Sequence, residues 1–304
     1  MAGSHTSVTE PGRLGAFGLL APAMLSIVVF LVLPLSLIVA YSFLTKGQYG
    51  GVIWTPSSAA YEQLLFERDI FTDAPVFNWS YVEIVLRSAG HAAFATLLSA
   101  LIGIPMAYHI ATRPPRMRTI LLFLITMPYW VNLLVRTVSM LFIIRNEGPL
   151  SLTLQGLGVI SGPLGLAYTN AAIQIGLVYS YLPFMVLPVY AAIERFDFRL
   201  LEAANDLYSD RWTALRLVIL PSVAPGIVAG CLLVFIPCIG AYIAPDLLGG
   251  GKVLMIGNTI AMQFQGSRNW PFGAALSVVL MVLVMLLLLV MARTARRSSG
   301  RAAA

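Results

Sequence analysis

Six long apolar stretches limit what this chain can fold into. They are Leu14–Leu44, Ser88–Ala111, Thr119–Ile144, Ala171–Ile193, Leu217–Ala244 and Phe272–Met291, and Arg136 is the only Asp, Glu, Lys or Arg within them. Each is long enough to cross a hydrocarbon core of about 30 Å at about 1.5 Å of helix rise per residue. In lipid every backbone polar group must be bonded internally, which leaves helices or a closed barrel. The stretches are continuously apolar and do not alternate, so a barrel is excluded. Only 11% of the 304 residues are charged, against about 25% in a soluble domain. The expected fold is an all-α membrane protein with six transmembrane helices.

The first stretch reads as a retained helix. It exceeds a signal-peptide core of about 7–15 residues, and no small-x-small cleavage site follows it. Residues 1–13 then form an N-terminal tail, 14–45 helix 1, 46–83 a polar connection, 84–293 the main body with a loop at 194–221, and 294–304 a C-terminal tail. Charge orients this arrangement. Arg13, Arg113, Arg116, Arg118, Arg195, Arg199, Arg211, Arg216, Arg293, Arg296, Arg297 and Arg301 fall on one side, 12 of the 19 basic residues. Basic residues stay in the cytoplasm. Both termini and the loop 194–221 are therefore expected there. Segment 46–83, with Glu62, Glu67, Asp69, Asp73 and Glu83, is expected in the periplasm. The net charge of +6 is a topology signal and implies no nucleic-acid partner; the partner implied is the bilayer.

Catalytic and metal-binding patterns are missing. Cys231 and Cys238, seven residues apart on one helix, sit about 10.5 Å from each other, beyond the ~7 Å that a disulfide spans. His91 and His109 lie at opposite ends of one helix and cannot share a metal. Gly249-Gly250-Gly251-Lys252 fails as a phosphate loop, because Asp246 stands where G-x-x-x-x-G-K-[ST] needs its first Gly and Val253 follows the Lys. No cofactor is expected and no ATPase site, so active transport by this chain would draw its energy from a partner.

Prolines interrupt the apolar stretches: Pro22 and Pro34 in the first, then Pro105, Pro128, Pro183, Pro188, Pro221, Pro225 and Pro237. Each removes a backbone donor and kinks a helix. Transporters use such breaks where helices line a cavity. Arg136 stands about 26 Å along a straight helix counted from Thr119, from where it can snorkel outward, form a structural pair with a carboxylate or a headgroup, or serve as a site residue. Near the end of the fifth stretch, Tyr242 and Asp246 are spaced i, i+4. They share a face if the helix runs through Pro245, and an aromatic beside a carboxylate suits an ammonium ion. Trp270 opens the sixth helix at the expected interface, as an aromatic-belt residue or part of the substrate path.

The polar segment from Glu202 to Gly226, EAANDLYSDRWTALRLVILPSVAPG, lies between two spans, where another protein can grip it. Its Glu202-Ala203-Ala204, with Leu220-Pro221 sixteen residues after the second Ala, resembles the coupling loop of ABC-importer permeases. Tyr129–Arg136 (YWVNLLVR), Gly176–Arg195, Pro225–Val234, Asp246–Asn258 (DLLGGGKVLMIGN) and Arg268–Ala275 (RNWPFGAA) narrow the resemblance to the B-type permease subunit of spermidine/putrescine importers, over about 81–291. The resemblance implies a five-helix permease core within the six helices. It also implies a related second permease subunit, two ATP-binding subunits and a periplasmic solute-binding protein at a bacterial inner membrane. Glu202, Ala203, Ala204 and Tyr208 would couple to the ATPases. Tyr208 departs from the family, which has Gly there, and Gly makes a tight turn cheap by accepting positive φ. Two other readings stay open: a permease for another solute (an opine, amino acid or iron chelate) and a self-sufficient carrier or channel.

Overall fold

The computed structural model describes residues 21–68, 75–197, 199, 213 and 215–302. Helix α1 (Ala21–Ser42) carries a π-helical turn, Val28–Val32, where Leu33 N–H reaches back to Val28 O. The turn absorbs the donor missing at Pro34. Two small hairpins and a short helix follow. Strands β1 (Leu44–Lys46) and β2 (Val52–Pro56) pair antiparallel. Their connection turns through Gly50 and Gly51 at φ 96° and 77°, a region open chiefly to glycine. Helix α2 (Ala59–Leu65) leads to β3 (Phe66–Arg68), which pairs antiparallel with β4 (Pro75–Phe77).

Helix α3 (Trp79–Ala111) begins nine residues before the second apolar stretch, because the Asn78 side chain accepts from Ser80 N–H at 3.0 Å and caps it there. Helix α7 (Asn170–Glu194) matches the fourth stretch within a residue at each end. Helix α8 (Leu220–Ile239) follows a π turn at Leu215–Ile219, and α11 (Trp270–Ala302) contains the sixth stretch.

Two stretches are not single helices. The third divides into α4 (Pro115–Thr126), a 3-10 turn (Met127–Trp130) and α5 (Leu133–Ile144), which leads on to α6 (Pro149–Gly156); the two halves are bent by 96°. Pro128 opens the break, and Asn132, accepting from Leu134 N–H at 2.8 Å, starts the new helix. The fifth stretch ends at Gly240, and α9 (Ile243–Gly249) starts afresh, followed by α10 (Ile256–Gln265). The described residues thus hold five straight spans, or six with the bent pair.

The core is a three-helix contact of α3, α7 and α8. On α3 the buried positions Ser88, Ala92, Ser99, Gly103 and Ala107 form a stripe of small residues that lets backbones approach. Met185 of α7 fills the space this opens: a Cβ on Gly103 would lie 2.8 Å from Met185 Cγ, and one on Gly230 of α8 would lie 2.8 Å from Met185 Sδ. Helix α1 is exposed along its apolar span, is buried at Ser42 near its end, and rests on α11.

Candidate functional site: the break between two helices

Helix α8 stops because three features coincide. Pro237 cannot donate, Gly240 follows, and the start of α10 presses against the chain there. A Cβ on Gly257 would stand 2.5 Å from Gly240 O and 2.7 Å from Ala241 O, so only glycine permits the approach. Asn258 Nδ2 donates to Tyr242 O at 3.0 Å, and its Oδ1 is buried without a partner. Ser88 Oγ on α3 accepts from Ile256 N–H at 2.8 Å and ties the start of α10 to the core. The break is therefore backed by packed helices.

A cavity of about 140 Å³ opens at this break. Leu133 of α5, Ser180 and Tyr181 of α7, and Pro237, Gly240 and Tyr242 line it. No charged side chain lines it. Its polar surface is phenol, hydroxyl and backbone carbonyl, and its walls continue into rings. Tyr181 stacks on Phe184 at 6.3 Å, and Tyr129 meets Phe184 edge-on at 5.1 Å. The Tyr129 hydroxyl donates to Ser180 O. The acceptor oxygens and π faces of the lining suit a cation in transit, with the Arg136 guanidinium behind the Tyr129 ring, 4.7 Å from its centroid.

Of the sequence candidates, Tyr242 lines this cavity and is 44% exposed. Asp246 N–H donates to Tyr242 O at 3.0 Å. The i, i+4 pair therefore shares one helical turn, but on α9; the chain breaks before Tyr242, and Pro245 sits in the first turn of the new helix. The Asp246 side chain is exposed and lies outside the lining. Trp270 stands apart, with its ring 6.4 Å from that of Tyr41 on α1.

Arg136 departs from the expectation of an outward snorkel. The 96° bend removes the straight helix on which that distance was counted. The side chain is 8% exposed, with Cζ 4.7 Å from the Tyr129 ring centroid and 5.8 Å from that of Tyr179. Glu202, Ala203, Ala204 and Tyr208 lie outside the described residues.

Three features escaped the sequence reading. Ser180 and Tyr181 carry no motif of their own. Gly226 and Gly230 sit four apart on α8, and that small-xxx-small spacing was visible. At the end of the bundle bearing Ala111 and Pro115, Arg118 Nη1 donates to Glu194 Oε1 at 2.8 Å and Nη2 to Ala111 O at 3.0 Å. This knot joins α3, α4 and α7 at the C-terminal end of α7. His91 Nδ1 lies 2.6 Å from Gln174 Nε2, exposed His109 lies against Arg113, and Cys231 and Cys238 are free. No group of three metal-ligating side chains occurs among the described residues.

Comparison with known proteins agrees with this architecture. Residues 99–300 match the family described as binding-protein-dependent transport system inner membrane component. The chain is 41% identical over 256 residues to the spermidine/putrescine transport system permease protein PotB of Haemophilus influenzae, covering 84% of this chain and 85% of that one. It is 40% identical to PotB of Escherichia coli K12, covering 84% and 89%. Among solved structures, a bacterial ABC transporter that imports the acidic polysaccharide alginate aligns with a TM-score of 0.68 at 15% identity, over 93% of this chain and 95% of that chain.

Proposed function

This chain belongs to the family of binding-protein-dependent transport system inner membrane components, and we propose that it is the permease subunit of an ATP-driven polyamine importer. The identity of 41% to PotB across most of both chains carries the reading. The uncharged aromatic cavity at the α8–α9 break supports it, because polyamine ammonium groups leaving water need oxygen acceptors and π faces. The chain is a passive conduit. Two ATP-binding subunits grip the loop around Glu202, a related permease completes the path, and a periplasmic binding protein delivers solute. Closure of the ATPases moves that loop, and the breaks in α4–α5 and α8–α9 are where the helices hinge. A structure of such a likeness as the alginate importer's supports the fold only, so the solute rests on PotB.

Uptake of labelled spermidine and putrescine by cells that carry the complete transporter, against cells lacking this chain, tests the proposal. Loss of both uptakes on deletion, with restoration by the intact gene, is the expected result; unchanged polyamine uptake together with loss of another solute's uptake refutes it. Within that assay Asp246→Asn is expected to lower uptake about tenfold, the equivalent of roughly 1.4 kcal/mol, while the complex still assembles. The exposed carboxylate one turn from the cavity would be the point at which an ammonium group first pairs. Full uptake with Asn at this position removes Asp246 from the path.

Sidedness follows from charge. The distribution of arginines supports a cytoplasmic side for both termini, the loop 194–221 and the Arg118–Glu194 knot. The hairpins and α2 of segment 46–83 are then periplasmic, where a solute-binding protein docks. A reporter fused after Ala304 is expected to be active only when it needs the cytoplasm; activity of a periplasm-dependent reporter there reverses the assignment.

A further inference from the structure

Arg136 carries a charge that no carboxylate among the described residues neutralises. Its Nε and Nη1 are buried without a hydrogen-bond partner. Among the described residues the ion pairs are Glu83–Arg87 and Arg118–Glu194, and none involves Arg136. The rings of Tyr129 and Tyr179 face the guanidinium and offset part of its desolvation. They supply no negative charge. Uncompensated charge within a membrane is steeply unfavourable and marks a partner that is missing from the chain alone.

Depth narrows the partner. Tyr179 lies nine residues along α7 from Asn170, about 14 Å of rise, and fifteen from Glu194, about 22 Å. The guanidinium beside it is near the middle of that span, below the reach of a lipid phosphate at either surface. An acyl chain brings no counter-charge. An anionic solute is a poor match for the neighbouring cavity, whose polar groups at Ser180, Tyr181 and Tyr242 present acceptor oxygens and π faces. The surface beside Arg136 is open to a protein neighbour at Tyr179, whose ring faces the guanidinium and which is 40% exposed.

We propose that Arg136 is paired by a carboxylate from the companion permease subunit, which covers the exposed Tyr179 beside it. The inference rests on reading the chain as one of two permease subunits. Arg136 then acts as a positioning residue. It holds an acid from the other subunit next to the aromatic cavity and touches no cation itself. The pair also explains why an importer of cations keeps an arginine beside its path.

The test is a change of sign between two contexts. In the isolated subunit, Arg136→Met removes an unpaired buried charge, so the melting temperature should stay level or rise. In the purified complex the same substitution leaves a companion carboxylate unpaired. Its melting temperature should fall, and companion recovered with the subunit should drop about thirtyfold or more, as for truncation of one member of a buried charge pair. Neutralising each membrane carboxylate of the companion in turn (Asp→Asn, Glu→Gln) should find one that reproduces the loss and adds nothing to Arg136→Met. A shift of the same sign in both contexts overturns the proposal, as does a companion in which no carboxylate behaves this way. So does an Arg136→Met effect present in vesicles containing phosphatidylglycerol and lost in pure phosphatidylcholine, since that result assigns the counter-charge to lipid phosphate. These readouts involve no solute. Failed polyamine uptake alone therefore refutes only the earlier reading, whereas a wild-type complex without any second permease subunit refutes both.

Discussion

Gly226→Leu is expected to abolish recovery of the folded subunit. At Gly226, α8 meets α7 backbone to side chain: a Cβ there would lie 2.5 Å from Ala192 Cβ and 2.8 Å from Pro188 O. Neither neighbour is the free end of a flexible side chain, so the helices themselves must separate. Pro188 sharpens the problem, since its missing N–H already leaves α7 short of a bond at this level. Overpacking a well-fitted contact costs about 1–3 kcal/mol, which is the expectation for Gly226→Ala. Leucine adds three more carbons to the same overlap and exhausts a stability of about 5–15 kcal/mol. The loss would reach the cavity too, because α7 carries Ser180 and Tyr181 and α8 carries Pro237 and Gly240. Gly90→Leu is the control: Gly90 lies on α3, and an added Cβ there meets nothing within 4 Å. Detergent extraction followed by size-exclusion chromatography and a melting curve measures both. Equal monodisperse yield for the two leucine variants would show that the α7–α8 contact is not the one on which the fold depends.

That contact also shows how sequence and structure divide the information. The spans were legible because lipid leaves the backbone no alternative to a helix, and composition reports lipid directly. Helix α7 needed nothing more. Where a helix stops inside lipid is a different matter, because tertiary partners decide it. Pro128 and Asn132 are a stop signal and a start signal four residues apart, and they divide the third stretch. Pro128 was legible as a kink, but apolarity on both sides concealed that Asn132 starts a new helix. At the fifth stretch Pro245 looked like the breaker. Proline is tolerated in the first turn of a helix, and the actual break falls at Gly240, where Gly257 and Asn258 arrive from a part of the chain that hydropathy ranks as a loop. Arg136 shows the same limit. Its position in an apolar stretch was evident, but its direction depends on the rings of Tyr129 and Tyr179, which the bend and the packing of α7 bring to it. Tyr242 was chosen for its chemistry and does line the cavity; Ser180 and Tyr181, which face it across the gap, have no local pattern that singles them out. The Arg118–Glu194 pair, 76 residues apart in sequence, is likewise a product of the fold alone.

Glu202→Arg is expected to abolish uptake while leaving the subunit folded and inserted. Glu202 lies outside the described residues, so the expectation comes from sequence and from what surrounds the loop. Glu202-Ala203-Ala204 offers one acid followed by two side chains small enough to let a helix sit deep in a groove. The loop mixes both signs, with Asp197, Asp206 and Asp210 among Arg195, Arg199, Arg211 and Arg216, and Glu202 is the acid set directly before the two small residues, where a basic residue of an ATPase would meet it. The end of α7 that leads into the loop is held by Arg118 through Glu194, which gives the loop a firm base from which to transmit movement. A charge-assisted contact at a partly desolvated interface contributes about 1–3 kcal/mol, and reversal adds repulsion to that loss. Recovery of the ATPases with the subunit should therefore fall by about tenfold or more. Glu202→Gln removes the charge without reversing it and should fall between. The substituted residue is outside every apolar stretch, so membrane insertion and the melting temperature of the isolated subunit should not change. That separation matters, because Gly226→Leu would also end uptake, but through loss of the fold. Normal uptake and normal ATPase recovery with Glu202→Arg would remove this loop from the coupling path and leave Tyr208, where the family has Gly, with no docking role to alter.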